Sequence, residues 1–194
     1  ELAGTEVLAT ALTAGALKIN GHNVGAAAAD GVSSTTSSAS GIAVAKAINA
    51  VSGETKVSAT VAATAVAGTT VTAFTAIADE GIKINGVNIG AIAASTGKAD
   101  RGADVSAAIN AVTGQTGVTA SFDTTTGAVA LGATDGRNIT VVTAAAVTGI
   151  ISGLQAGGAA EVTTTTRSIV TLSSTDSAGI TVGGSAEANA GFQT

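Results

Sequence analysis

The stretch "IKINGVNIG" (Ile82–Gly90) decides how this chain is read, because it is written a second time as "LKINGHNVG" (Leu17–Gly25). The two copies differ only at Leu17/Ile82, His22/Val87 and Val24/Ile89. In both, apolar and polar residues alternate around Asn-Gly, the pair that most readily takes positive φ at both central positions of a type I′ turn. The spacing predicts two β-hairpins. Leu17–Ile19 pairs with His22–Val24 across Asn20-Gly21, and Ile82–Ile84 pairs with Val87–Ile89 across Asn85-Gly86. The likeness also reaches upstream, where "TALTAG" (Thr10–Gly15) aligns with "TAFTAI" (Thr72–Ile77).

Downstream, "VAKAINAVSG" (Val44–Gly53) is matched by "VSAAINAVTG" (Val105–Gly114). The offset between copies has fallen from 65 to 61, so the first copy holds four extra residues, placed in the Ser/Thr-rich loop "GVSSTTSSAS" (Gly31–Ser40). Val105, Ala108, Ile109 and Val112 recur at i, i+3, i+4 and i+7, one face of a short amphipathic helix. Val44, Ala47, Ile48 and Val51 repeat it. Gly53 and Gly114 are expected as left-handed C-terminal caps. Asn49 and Asn110 lie just off the apolar face, either bonding a neighbouring loop or exposed to water.

A strand follows each helix. "GVTASF" (Gly117–Phe122) turns at "DTTTG", returns as "AVAL" (Ala128–Leu131), and leads through "LGATDGRNITV" (Leu131–Val141) into another turn and strand. The first copy begins likewise with "KVSATV" (Lys56–Val61), but its matching ending, "LSSTDSAGITV", comes only at Leu172–Val182. The economical organisation is an outer module, residues 68–158, inserted into a discontinuous inner module, residues 1–67 plus 159–194. Tandem modules with an unrelated C-terminal strand pair are the alternative. The expected fold class is α+β, strand-dominated, with two related small modules, each carrying hairpins and one short helix.

Composition narrows the function. The 194 residues include no Cys, Met, Trp, Tyr or Pro, three Phe and one His, with net charge −5 and 11% charged residues. Ordinary domains carry roughly 25% charged residues. A disulfide framework is excluded. Nucleic acid and anionic membranes are not expected partners, since both need clustered Lys and Arg. Two charge-free windows, Val57–Ala78 and Asn138–Ala160, are long enough to span a bilayer. Both are laced with Thr and Gly, and "TTVTAF" alternates as a strand does. The N-terminal "ELAGTE" has no initiator Met and no basic leader, so the chain reads as a piece of a larger protein.

No catalytic, cofactor-binding or metal-binding residue is expected, and the chain is not read as an enzyme. The single histidine, His22, replaces Val87 beside a turn and has no second histidine to join in a metal site or a Ser-His pair. "GAIAASTGKA" (Gly90–Ala99) has six residues between its glycines and Ala after Lys, where a phosphate loop needs four and then Ser or Thr. Asp100, Arg101 and Asp104 form a local charge group near a helix start, where Asp favours the helix N-terminus. Asp123, Asp135 and Asp176 suit side-chain-bonded turns. Asn138-Ile139-Thr140 is a glycosylation sequon inside an expected strand; the Ser/Thr loops are the better glycan acceptors.

The pattern of "INGVNIG", a helix with "AAINAVTGQTGVTAS" and then "LGATDGRNITV" resembles the flagellin hook IN motif of bacterial flagellins. The resemblance is close over Ile82–Val141 and good over Leu17–Val61, where it stops early. It implies the variable, surface-displayed outer region of an extracellular flagellum. It also implies that other flagellin subunits are met through long heptad-like terminal helices outside this chain, so the piece itself should be a monomer. The exposed loops would face water, antibodies or host receptors. A filament-cap or other axial protein carries the same motif. An adhesin-type binding module is the rival from another class, and would need a pocket of converging polar or aromatic side chains.

Overall fold

The computed structural model describes residues 1–155 and 160–192. In chain order the elements are β1 (Leu2–Glu6), β2 (Leu17–Ile19), β3 (His22–Asn23), α1 (Gly41–Asn49), α2 (Ser52–Thr55), β4 (Val57–Val61) and β5 (Thr64–Val66). Then come β6 (Ile82–Ile84), β7 (Val87–Asn88), α3 (Lys98–Ala111), α4 (Thr113–Thr116), β8 (Thr119–Phe122), β9 (Val129–Ala133) and β10 (Ile139–Thr143). After these come α5 (Gly149–Ser152), β11 (Val162–Thr166), β12 (Ile169–Ser174) and β13 (Val182–Gly184), followed by a short 3-10 turn at Glu187–Ala190. The fold is α+β and strand-rich, built of small antiparallel sheets.

Two compact units emerge: residues 1–64, 134–138 and 167–194, and residues 65–133 and 139–166. The expected module seam between residues 158 and 159 lies outside the described residues. The first unit contains the sheets β1-β12-β4 and β13-β2-β3. The second contains β5-β9-β8 and β11-β10-β6-β7. Each unit therefore has a central strand flanked by two others, plus a hairpin extended on its Leu17 or Ile82 side, by β13 alone in the first unit and by β10 and then β11 in the second. The elements occur in the same order too, with β12 standing where β9 stands and β13 where β10 stands. The β8–β9 connection is the short turn Asp123–Gly127, whereas the equivalent β4–β12 connection is more than a hundred residues of chain.

The hairpins form in the expected register, Lys18↔Asn23 and Ile19↔His22 in one, Lys83↔Asn88 and Ile84↔Val87 in the other. Asn20 and Asn85 take φ 48° and 50°, Gly21 and Gly86 φ 83° and 84°, the type I′ pattern. Ile169–Ser174 pairs with Val57–Val61, and Val182 pairs with Ile19, so the late strands meet partners from the first 67 residues.

Two local expectations are corrected. Gly53 and Gly114 are not caps: the chain makes one more helical turn, α2 or α4, and the left-handed residues are Lys56 (φ 58°) and Gly117 (φ 68°). Their N–H groups bond back to the Ser52 and Thr113 carbonyls, closing the extra turn. The upstream likeness runs three residues out of step with the Thr10/Thr72 alignment. The Ala27 N–H bonds the Leu12 carbonyl where Ile77 and Ile92 bridge, which keeps the 65-residue offset of the hairpins. α1 begins at Gly41 on a Ser40 side-chain cap, and α3 begins at Lys98 with Asp100 in its first turn, near the helix start expected there.

The cores repeat position by position. Leu17/Ile82, Ile19/Ile84, Val44/Val105, Ile48/Ile109, Val57/Val118 and Leu172/Leu131 are all buried. Each helix lays its expected face on its sheet; Ile48 and Ile109 are fully enclosed, and Val51 and Val112 lie at the rim. Ala and Val fill much of the space between these larger side chains, so the buried apolar area per residue is small.

Candidate functional site

The repeated Asn-Gly turn does more than reverse the chain. The Asn85 N–H donates to the Thr140 carbonyl (2.8 Å), its side-chain oxygen accepts from the Thr140 N–H (2.8 Å), and its Nδ2 donates to the Thr116 carbonyl (2.9 Å). Asn20 repeats this in the other unit. Its N–H donates to the Thr181 carbonyl (2.9 Å), its Oδ1 accepts from the Thr181 N–H (2.8 Å), and its Nδ2 donates to the Thr55 carbonyl (3.0 Å). Asn20 Nδ2 also reaches the Gly179 carbonyl (3.3 Å). One carboxamide thus ties a hairpin, the end of the extra helical turn and the strand that extends the hairpin. No other side chain both tolerates left-handed backbone as well as Asn and offers a donor and an acceptor at that reach.

A second asparagine clamp follows each helix. Asn110 Nδ2 donates to the Ala120 carbonyl (2.9 Å) and its Oδ1 accepts from the Ala120 N–H (2.8 Å). Asn49 grips Ala59 identically, at 2.9 and 2.7 Å. The partners are the edge strands β8 and β4, not loops. Each clamp occupies one N–H and one C=O that an edge strand would otherwise present to another chain.

The acidic turns behave as expected. Asp123 accepts from the N–H groups of Thr125 and Thr126 and from the Thr126 hydroxyl, and these bonds hold its carboxyl below the usual carboxylate range. Asp135 is paired with the Arg137 guanidinium (2.7 Å), which likewise lowers it against the opposing effect of burial. Asp176 accepts from the Ala178 N–H (2.9 Å). At Asp30 burial pushes the carboxyl up, but the Ser33 and Ser40 hydroxyls and the N–H groups of Ser33 and Val32 outweigh it and bring it down.

The other candidates scatter. His22 is half-exposed and lies 3.5 Å from Glu54. Asp100 is bonded by Thr96 and Asp104 by Ser95 (3.0 Å), so the segment before α3 is tied to its first turns rather than wrapped as a phosphate loop. Arg101 turns inward from the expected charge group, though the Asp104 carboxylate still acts on it. It is fully buried, donates Nη2 to the Thr75 carbonyl (2.5 Å), and its pKa is lowered by desolvation. The sequon residue Asn138 is buried, with its amide on the Thr35 and Thr36 carbonyls (3.0 and 3.3 Å). Among the described residues no cluster of three His, Cys, Asp or Glu could hold a metal, and no helix is long and apolar enough to cross a membrane. Among the described residues, the surface recesses of the first unit include two. One is lined by Ser52, Lys56, Ser58, Ser173 and Ser174, with Lys56 Nζ turned onto the Gly53 carbonyl (2.7 Å). The other is lined by Leu2, Ile180, Val182 and Phe192.

Sequence reasoning saw Asn20 and Asn85 only as turn residues and Arg101 only as a charge. A signal for the clamps was present. Thr55 and Thr116 stand at the same offset as the helices, and each "ITV" ending repeats one Thr, so the bonding partners recur with the motif.

Comparison with known families places a match where these features sit. Residues 81–135 match the flagellin hook IN motif, which supports a flagellin-related structural role in the flagellum. The match spans the second hairpin, α3, α4 and the β8–β9 pair. No curated protein matches the chain.

Proposed function

We propose that the chain is a surface-exposed outer region of a flagellin, a structural part of the extracellular filament without catalytic work of its own. The observation that carries this is the motif match over 81–135, together with the same hairpin, clamps and core positions in the first unit. The arrangement supports a scaffold: the repeated polar residues are spent on internal bonds that hold strands, and the loops between them are left to face solvent. Of the two recesses described, one holds a single charged side chain, Lys56, and the other a single aromatic, Phe192, rather than a converging set, which favours a scaffold over an adhesin-type module. Contacts with other subunits would run through flagellin terminal helices, whose long heptad pattern this sequence lacks, and antibodies or host receptors would meet the loops. We also propose that residues 68–158 are a module inserted into 1–67 plus 159–194, supported by the shared element order and by the pairing of β12 with β4.

Antibodies raised against residues 68–158 and used to gold-label intact filaments of the source bacterium test the reading. Decoration along the whole filament is expected. Label confined to the tip would assign the chain to a cap protein, and bare filaments would overturn the proposal.

A further inference from the structure

Asn20 and Asn85 are the chain's only asparagines followed by glycine; the others precede Val, Ala or Ile. Asn-Gly is the dipeptide in which the following backbone nitrogen, unhindered by a Cβ, most easily attacks the side-chain carbonyl carbon. The Gly86 nitrogen would form a bond to Asn85 Cγ while the Cγ–Nδ2 bond breaks. The Gly86 N–H proton is lost, ammonia leaves, and a five-membered imide remains. Water then opens that ring at either carbonyl, yielding aspartate or its β-linked isomer. The only co-reactant is water.

The folded geometry opposes every stage. Asn85 is 9% exposed. Its carboxamide is gripped at both ends, Oδ1 by the Thr140 N–H and Nδ2 by the Thr116 carbonyl, so Cγ cannot turn onto the Gly86 nitrogen without losing both bonds. The departing amine is the very group held by Thr116. Asn20 is gripped in the same way by Thr181 and Thr55. The product cannot restore the grip. A carboxylate has no hydrogen to give the Thr116 or Thr55 carbonyl, so two acceptors would face each other at hydrogen-bond distance. The β-linked isomer also adds a backbone atom to a two-residue turn whose length sets the hairpin register.

We propose that the two Asn-Gly turns are latent deamidation sites, locked by their carboxamide clamps in the folded units and converted irreversibly once a unit opens. The test uses the whole chain in one mildly alkaline buffer, native and across a urea series, with peptide mass mapping over time and amide exchange read at Thr140 and Thr181. In unfolding urea, Asn20 and Asn85 should convert before every other asparagine. In native buffer they should lag by on the order of a hundredfold or more, the factor by which open forms are depleted. Across the series, conversion at Asn85 should track exchange at Thr140, and conversion at Asn20 should track exchange at Thr181. Aged chain, returned to native buffer, should show a lowered unfolding midpoint. Equal rates in native and unfolding buffer, or a urea dependence unlike that of the clamp amides, would overturn the proposal.

Discussion

A single carboxamide at position 85 serves three separate pieces of chain, and that sets what its removal does. Asn85→Gly keeps a residue that takes φ 50° freely but removes the clamp, leaving the Thr140 N–H and one bond to the Thr116 carbonyl unmade. It should cost about 1–3 kcal/mol, the usual penalty for an orphaned buried group, read as a shift of the urea midpoint; an unchanged midpoint would mean that Asn85 serves only the turn. The acidic residues carry a pH effect of definite sign. Asp30 and Asp135 have folded pKa values below the ordinary one, so their contribution is whole above the unfolded carboxylate pKa of about 3.9 and is lost as pH falls through the folded values. The midpoint should hold steady from about pH 7 to 5 and drop below about pH 4. In Asp30→Asn and Asp135→Asn that drop should be smaller, and an equal drop in both variants would place the acid-sensitive groups elsewhere.

At the scale of the element, each helix and the strand after it act as one piece, joined by an enclosed isoleucine and an asparagine grip. Ile109 and Ile48 are wholly buried, and truncating either to Ala should cost about 2–5 kcal/mol. A midpoint unmoved in Ile109→Ala would mean that α3 does not depend on that contact. The extra turns α2 and α4 give the Thr55 and Thr116 carbonyls a place within reach of the hairpin asparagines, which is why the chain carries the helix beyond Gly53 and Gly114. Edge strands β4 and β8 are gripped by their helices, and β3 and β7 have two residues each, so these edges offer little to an intruding strand.

At the scale of the molecule, the proposed insertion makes a claim about independence. Replacing residues 68–158 by a short Gly/Ser linker removes residues 134–138 of the first unit but should leave its two sheets folded, because β12 and β13 would still reach β4 and β2. Removing residues 161–194 should unfold the first unit, since β4 then loses its partner strand and Asn20 loses Thr181. Amide exchange on each variant reads both outcomes, and the reverse pair would favour tandem modules. The intact chain should sediment as a monomer at micromolar concentration; filaments or a stable oligomer would argue that it carries its own assembly surface.

The hairpins, the buried helix faces and the late strands were all legible in the residue order. Each is written in a local period or a turn dipeptide, and the internal repeat states each of them twice. Turn chemistry at Asn-Gly and the i, i+3, i+4 spacing around Ile48 and Ile109 act within a few residues, so they need no knowledge of the rest of the chain. The clamps, the burial of Arg101 and of Asn138, and the extra helical turns came only with the assembled chain. Asn20 meets Thr181, 161 residues away, and Asn138 meets Thr35, 103 away. A hydrogen bond across such a span leaves no periodic trace, because it depends on two polar groups being brought together by cores that the apolar residues build first.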